Sequence, residues 1–181
     1  NEQYTHVSLW CMVGSPLLIG CDLTKLDAFT KALLTNPEVL EVNQDPLGKT
    51  AARVLGDDDR EEWEVWARPL VDGSIALGVF NVSPQKREIV VDLGGMGLAG
   101  EWKVRDLWRC RDEQPVRTYY RVTLPSHAPH FIRLTPGADG RLAPGVQDVR
   151  DAAWNHLFDN QDKRATFEEC ASCPKSAVGA R

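Results

Sequence analysis

Residues 63–80 are Trp-Glu-Val-Trp-Ala-Arg-Pro-Leu-Val-Asp-Gly-Ser-Ile-Ala-Leu-Gly-Val-Phe, and this stretch decides the fold of most of the chain. Trp63, Val65 and Ala67 occupy every second position, which predicts a strand with one buried face. Asp72-Gly73 then separates this segment from the continuous apolar run 75–80. Because Asp-Gly between two such segments is a strong hairpin signal, the stretch predicts two antiparallel strands.

The two-residue period continues to residue 135. Apolar residues alternate or adjoin in four further segments: Ile89, Val91 and Leu93; Trp102 and Val104; Tyr120, Val122 and Leu124; and Phe131, Ile132 and Leu134. Gly94-Gly95 and residues 126–129 have the composition of turns. Short strands at roughly even spacing predict an antiparallel β-sandwich over residues 62–136.

Residues 1–50 have a different pattern, that of a parallel α/β fold. Apolar residues at helical spacing predict a helix over residues 2–12. The run Leu17-Leu18-Ile19 follows a Gly-Ser-Pro break and predicts a short strand that is buried on both faces. One such strand is a piece of a sheet rather than a whole one, so this part is α/β and the rest of the fold is all-β.

A second helix is expected after that strand. Thr24 and Asp27 resemble a capping box with Asp in place of Glu, and an apolar stripe follows them. Pro37 either ends this helix or bends it into a further turn. Helix, buried strand and helix would then be joined by short connections.

Two polar segments flank the predicted sandwich. The first, residues 51–61, holds most of the six adjacent charges of residues 57–62, and we interpret it as a solvated linker rather than a metal or acid–base cluster. The second, residues 137–181, is a polar tail. It contains three residues at helical spacing, which predict a short helix: Trp154, Leu157 and Phe158.

Composition and charge exclude several classes of protein. The chain has 181 residues, with 21 Lys and Arg against 26 Asp and Glu and a net charge of −5, which gives no reason to expect nucleic acid or an anionic membrane as partner. No apolar run approaches the ~18–20 residues of a membrane span. A complete (β/α)8 barrel needs about 250 residues. The start at Asn1 rather than Met suggests a processed or truncated chain.

The five cysteines are few and odd in number. An extended strand between Cys11 and Cys21 would separate them by about 20 Å, well beyond the ~7 Å limit between the Cα atoms of a disulfide. Cys170 and Cys173 form one Cys-x-x-Cys without a second pair, so a local disulfide or two free thiols is favoured over zinc. Cys110 has no obvious partner. We expect no metal and no cofactor.

Asp22 follows the predicted strand 17–19, and two interpretations of it stay open. Barrel enzymes build their active sites at the carboxyl ends of strands, which makes Asp22 a weak candidate for a pocket rim. Alternatively, its carboxylate accepts hydrogen bonds from backbone N–H groups at the start of the next helix. The second interpretation is favoured.

Three further patterns favour structural roles. His127-x-x-His130 lies between prolines, so we predict a loop rather than a metal site. Asn81-Val82-Ser83 matches a glycosylation sequon, but the following proline disfavours its use. Four tryptophans fall in strand patterns and are expected in the core rather than on a sugar-stacking surface: Trp63, Trp66, Trp102 and Trp108.

Six phrases of the sequence follow one another at the spacing of one protein family: residues 8–10, 15–23, 33–40, 42–48, 63–70 and 105–108. The most specific is Asn-Gln-Asp-Pro-Leu-Gly at 43–48. Together they resemble the C-terminal portion of family 27 glycoside hydrolases, the α-galactosidase (melibiase) family. The resemblance covers about residues 1–135.

The resemblance implies a fold and a reaction. The family's fold is a (β/α)8 barrel followed by an antiparallel β-sandwich, so residues 1–50 would be the last helix–strand–helix piece of the barrel. Family members are retaining enzymes that use one aspartate as nucleophile and another as acid and base. Both aspartates belong to barrel strands upstream of the segment that matches Asn1. The resemblance therefore implies no catalytic residue in this chain, and only Asp22 near a pocket.

The resemblance also implies a partner and a compartment. The complete enzyme would hydrolyse terminal α-galactosyl residues of oligosaccharides or glycoconjugates, without a cofactor, in an extracellular or lysosome-like compartment. We expect the chain alone to be inactive. The alternatives are a non-catalytic β-sandwich that binds carbohydrate or supports a partner, and a fragment of the related α-N-acetylgalactosaminidase or β-L-arabinopyranosidase. Without further sheet strands, residues 1–50 are expected to be loosely held.

Overall fold

The computed structural model describes residues 1–56 and 62–150. Helices α1 (Glu2–Val13), α2 (Ala28–Leu34) and α3 (Pro37–Asn43) come first, with a 3-10 helix at Leu23–Lys25. The strands follow: β1 (Ala52–Gly56), β2 (Trp63–Pro69), β3 (Ile75–Asn81), β4 (Arg87–Asp92), β5 (Leu98–Ala99), β6 (Trp102–Asp106), β7 (Arg111–Val116), β8 (Tyr119–Leu124), β9 (Pro129–Pro136) and β10 (Arg141–Leu142). None of the described helices is long and apolar enough to span a bilayer.

The strands form an antiparallel β-sandwich, as predicted. One layer is a six-stranded sheet in the order β1-β2-β3-β9-β6-β7, and the pairs β4–β8 and β5–β10 complete the fold. Side chains from these strands share one hydrophobic core, which includes Val65, Leu77, Val91, Trp102 and Ile132. Alternation along each strand therefore sets which residues are buried between the layers.

The Asp72-Gly73 hairpin joins β2 to β3 as predicted. The two strands pair from Trp63 opposite Asn81 to Pro69 opposite Ile75. At the turn, the Asp72 carboxylate accepts hydrogen bonds from the backbone N–H and the hydroxyl of Ser74. Gly73 has a φ of 80°, a conformation that side chains disfavour.

Strand β3 is buried on both faces. Ile75, Leu77 and Val79 point into the sandwich core, whereas Ala76 belongs to a second core beneath the helices. Gly78 lies on that same face, where an added Cβ would stand 2.5 Å from the Phe80 ring. Small residues therefore leave room for the Phe80 ring and for α1 to approach the sheet closely.

The second core joins the helices to the sheet. It consists of Val7, Cys11, Met12, Leu33, Val39, Val42, Ala51, Leu70, Ala76, Leu107 and Phe131. Polar contacts reinforce it: Arg105 of β6 binds both carboxylate oxygens of Glu38, at 2.6 and 3.0 Å. The side-chain amide of Asn36 also donates to the Leu107 carbonyl at 3.0 Å. Helices α1 and α3 are thus packed against the sheet rather than standing apart.

Residues 17–19 do not form the predicted buried strand. The backbone from 15 to 20 has no regular structure, and Leu18 and Ile19 are 80% and 53% exposed. The reason is the absence, among the described residues, of a neighbouring strand that pairs with this run. Without one, the backbone N–H and C=O groups gain nothing from leaving water. That this segment is loosely held stays a prediction.

The predicted capping box at Thr24 and Asp27 is also wrong. Asp27 itself caps α2, and its carboxylate accepts a hydrogen bond from the Thr30 N–H at 2.6 Å. Thr24 lies in the preceding 3-10 helix. Pro37 is the first residue of α3, where its fixed φ suits a helix start, and Asn36 caps that helix.

The segments that we predicted as a linker and as a polar tail both contribute strands to the sandwich. The predicted linker 51–61 begins with β1, which pairs with β2 at the edge of the large sheet. In the predicted tail, β10 pairs with β5, and Val149 is buried in the sandwich core. The Asp57–Glu61 part of the charged run and the predicted helix at Trp154, Leu157 and Phe158 lie outside the described residues.

Leu77 is buried and Leu18 is exposed, so the same Leu→Ala substitution should change stability by very different amounts at the two positions. Leu77→Ala removes a fully buried side chain and should lower the free energy of unfolding by about 2–5 kcal/mol. Leu18→Ala, the matched control at an exposed position, should change it by no more than about 0.5 kcal/mol. Urea denaturation of the purified chain measures both. A large loss for Leu18→Ala would show that residues 17–19 are packed.

Candidate functional site

Asp22 has the structural role that we favoured. Its Oδ1 accepts hydrogen bonds from the backbone N–H and the hydroxyl of Thr24, at 3.0 and 2.7 Å. These bonds, together with the nearby Lys25 ammonium, hold the pKa of Asp22 below its usual value. The carboxylate therefore caps the 3-10 helix at the surface. Residues 15–20, which precede it, have no regular structure, and a pocket-rim role for Asp22 stays a prediction.

The sequon asparagine is part of the core. Asn81 is buried, and its Nδ2 donates to the carbonyls of Gln85 at 2.7 Å and Pro125 at 2.8 Å. A third carbonyl, that of Leu124, lies at 3.2 Å. The amide nitrogen that would carry a glycan is therefore enclosed by backbone acceptors, which explains the asparagine without glycosylation.

The three cysteines in the described part of the chain are free thiols: Cys11, Cys21 and Cys110. Burial raises the pKa of the Cys11 thiol to about 12, so this group stays protonated and unreactive. Cys170 and Cys173 lie outside the described residues.

The four tryptophans that we expected in the core divide between the two cores. Trp102 is fully buried in the sandwich, and Trp63 and Trp66 pack partly buried at the edges of the cores. Trp108 was expected in a strand but lies in the turn that follows β6. There its indole Nε1–H donates to the hydroxyl of Ser8 on α1 at 2.9 Å.

His130 is not in the predicted loop. It is the second residue of β9 and is only 5% exposed, whereas His127 occupies the turn before that strand with a φ of 52°. Pairing of β6 with both β7 and β9, with β8 nearby, brings His130 next to Asp106, Glu113 and Tyr120. The structure thus assembles a buried polar cluster that spacing along the chain did not reveal.

The hydrogen bonds of this cluster indicate which atoms of Tyr120 and His130 donate a proton. The Tyr120 hydroxyl lies 2.7 Å from Glu113 Oε2 and 2.5 Å from His130 Nε2. A carboxylate has no proton to give, so the single hydroxyl proton of Tyr120 goes to Glu113. His130 must then donate from Nε2 to the Tyr120 oxygen. This tautomer leaves Nδ1 as an acceptor, 3.9 Å from Asp106 Oδ2.

Asp106 forms an ion pair with Arg109. It is 1% exposed, and it accepts hydrogen bonds from the Arg109 backbone N–H at 3.0 Å and from Nη1 at 2.6 Å. These contacts raise the pKa of Arg109. Burial, and then the Glu113 carboxylate, raise the pKa of Tyr120, so its hydroxyl remains a donor.

The polar cluster lines a cleft of about 470 Å³ between α1, the turn 107–110 and β8. Tyr4 and Trp108 also line it, with their rings edge to face at 4.7 Å. One ligand atom each from Asp106, Glu113 and His130 lies within 4.8 Å of the others. A metal would nevertheless have to displace Arg109 from Asp106 and Tyr120 from Glu113. The arrangement suits recognition of hydroxyl groups better than coordination of a cation.

The buried imidazole makes stability depend on pH. Burial lowers the pKa of His130 below its ordinary value of about 6.5, although Asp106 and Glu113 oppose the shift. The unfolded chain therefore binds the proton more readily, and stability should be complete above about pH 6.5 and fall as the pH drops below it. An NMR titration of the imidazole and urea denaturation across this range measure both quantities.

A matched variant tests whether His130 causes this pH dependence of stability. His130→Gln keeps a side chain that can hydrogen-bond but does not titrate, so its stability should fall less between about pH 6.5 and lower pH than that of the unmodified chain. A midpoint for His130 above about 6.5 would contradict the prediction, because the two carboxylates would then outweigh burial.

Comparison with known proteins places the chain in a family. A family model described as the alpha galactosidase C-terminal beta sandwich domain matches residues 60–134, and one described as alpha galactosidase A matches residues 1–45. The α-galactosidase of Cyamopsis tetragonoloba is 36% identical over 139 residues, which are 75% of this chain and 33% of that protein. The chain spans about a third of the length of such relatives.

Comparison with solved structures supports the same family. A β-L-arabinopyranosidase of glycoside hydrolase family 27 from Geobacillus stearothermophilus superposes with a TM-score of 0.70 at 32% identity, over 76% of this chain and 31% of that one. α-Galactosidase I from Mortierella vinacea gives 0.68 over 76% of this chain and 36% of that one, and at 20% identity it shows the fold alone. The two family matches, in this order along one chain, show that the protein belongs to the family 27 glycoside hydrolases and corresponds to the C-terminal portion of their α-galactosidases.

Proposed function

We propose that this chain supplies the C-terminal portion of a retaining α-galactosidase, which hydrolyses terminal non-reducing α-D-galactosyl residues of oligosaccharides or glycoconjugates. The observation that carries the proposal is the match of residues 60–134 to the C-terminal sandwich of α-galactosidases. Those residues also fold as a sandwich packed against helices that match the preceding part of the same enzymes. No cofactor is needed for this reaction, and we propose a secreted or lysosome-like location.

We further propose that the chain by itself does not catalyse hydrolysis. A retaining glycosidase needs two carboxyl groups about 5–5.5 Å apart, one free to attack and one free to protonate. Asp106 and Glu113 are close enough in the cleft. However, Asp106 is enclosed and bound to Arg109, and Glu113 accepts the Tyr120 hydroxyl proton. Neither group is available as a nucleophile.

The relatives also bear on which glycoside the proposed enzyme hydrolyses. Among the relatives, one solved structure is a β-L-arabinopyranosidase and another is described as a putative α-N-acetylgalactosaminidase from Bacillus halodurans. The curated relatives are α-galactosidases, for example those of Cyamopsis tetragonoloba and Coffea arabica. The larger sequence similarity to these plant proteins, at 36% and 35% identity, favours the galactoside.

The inactivity of the chain is tested directly. The purified 181-residue chain should release no galactose from an α-galactoside, and the Glu113→Gln variant should behave identically. Turnover by the unmodified chain that Glu113→Gln abolishes would assign catalysis to the cleft and would overturn the proposal.

A chimera tests the proposed role. The chain should restore α-galactoside hydrolysis when it replaces the matching C-terminal portion of the Cyamopsis tetragonoloba enzyme, because a related sandwich provides the same packing surface for the preceding domain. The control is that enzyme truncated at the same point, which should be inactive or insoluble. A chimera that is folded by circular dichroism yet inactive would contradict the proposed role.

A further inference from the structure

We infer that the cleft beside β8 is a non-catalytic binding site for one pyranose sugar. The cleft is lined by Tyr4, Trp108, Arg109, Glu113 and His130, among others. This inference goes beyond the proposed function, because it requires neither hydrolysis nor any residue outside the chain. It rests on unused hydrogen-bonding capacity, on charge balance and on the shape of the cleft.

The first argument is an unused acceptor on the floor of the cleft. His130 is 5% exposed, and because the Tyr120 hydroxyl donates to Glu113, the His130 Nε2 donates to the Tyr120 oxygen. Among the described residues no hydrogen-bond donor reaches its Nδ1, and Asp106 Oδ2 lies 3.9 Å from that nitrogen. Two acceptors that face each other repel unless a donor lies between them. A hydroxyl group of a ligand supplies that donor.

The second argument is the balance of charge. The cleft is lined by two carboxylates, Asp106 and Glu113, and by two guanidinium groups, Arg109 and Arg121. Such a lining favours neither an anion nor a cation. It presents acceptors and donors side by side, as a ligand with several adjacent hydroxyl groups requires. A neutral sugar fits this pattern better than a phosphate, an amine or a metal ion.

The third argument is shape. Tyr4 and Trp108 both line the cleft, and the hydrogen bond from the Trp108 indole to Ser8 fixes the orientation of that ring. Aromatic side chains offer apolar surface to the C–H groups of a pyranose ring, while the polar side chains of the cleft contact its hydroxyl groups. The volume of about 470 Å³ lies within the ~300–1,000 Å³ range of small-molecule sites.

The test is an NMR titration of the isotope-labelled chain with D-galactose. We expect saturable shifts of the Trp108 indole N–H and the His130 imidazole, and glycerol, which has hydroxyl groups but no ring, should not produce them. Glu113→Gln removes a charged acceptor from the site and should weaken binding by about tenfold. Glu88→Gln, the same change at an exposed residue outside the cleft lining, should leave the affinity unchanged.

A second variant distinguishes loss of binding from loss of folding. Tyr120→Phe keeps the buried ring and removes only its hydroxyl, so it should weaken galactose binding if the Tyr120 network orients the site. Shifts that do not saturate, shifts confined to another surface, or an affinity that neither cleft variant changes would each overturn the inference. An active chimera with no galactose binding to the cleft would do so while leaving the proposed function intact.

Discussion

All seven residues of β3 are buried, and this constraint sets the architecture on both sides of the large sheet. Apolar side chains at its odd-numbered positions must be covered by one layer, and the opposite face must be covered by another. The strand pairs β4–β8 and β5–β10 contribute to the first covering, and α1 and α3 form the second. A strand of this kind cannot remain at a surface, so the sandwich and the helices depend on each other.

Arg68 shows how closely the two parts are fitted. It projects from β2 on the helix side, it is 1% exposed, and its Nη1 donates to the Cys11 carbonyl in the last turn of α1 at 2.6 Å. A Cβ at Gly14, which ends that helix with a φ of 68°, would lie 3.0 Å from the guanidinium nitrogens. Burial lowers the pKa of Arg68, and the nearby Asp45 carboxylate opposes that change. Residues from distant parts of the sequence therefore lie beside the same buried guanidinium group.

Local patterns predicted the strands in which every second residue is buried. The hairpin at Asp72-Gly73 and the sandwich strands were found because alternation reports a half-buried face. The same reasoning failed for residues 17–19. Their apolar run identifies a segment suited to burial, but whether it becomes a strand depends on a neighbour to pair with. Strands β1 and β10 were missed because these short segments lack the apolar alternation that predicts a strand.

The sequence by itself determined the β-sandwich, the helical start and the family, because periodicity and ordered phrases are properties of the chain alone. Only the tertiary structure decided the cleft. Asp106, Glu113, Tyr120 and His130 belong to four different strands, and each is unremarkable in its own segment. Strand pairing brings Asp106, Glu113 and His130 together, and β8, which lies in another sheet, adds Tyr120 beside them. Proximity across strands is a consequence of pairing, which no local pattern records.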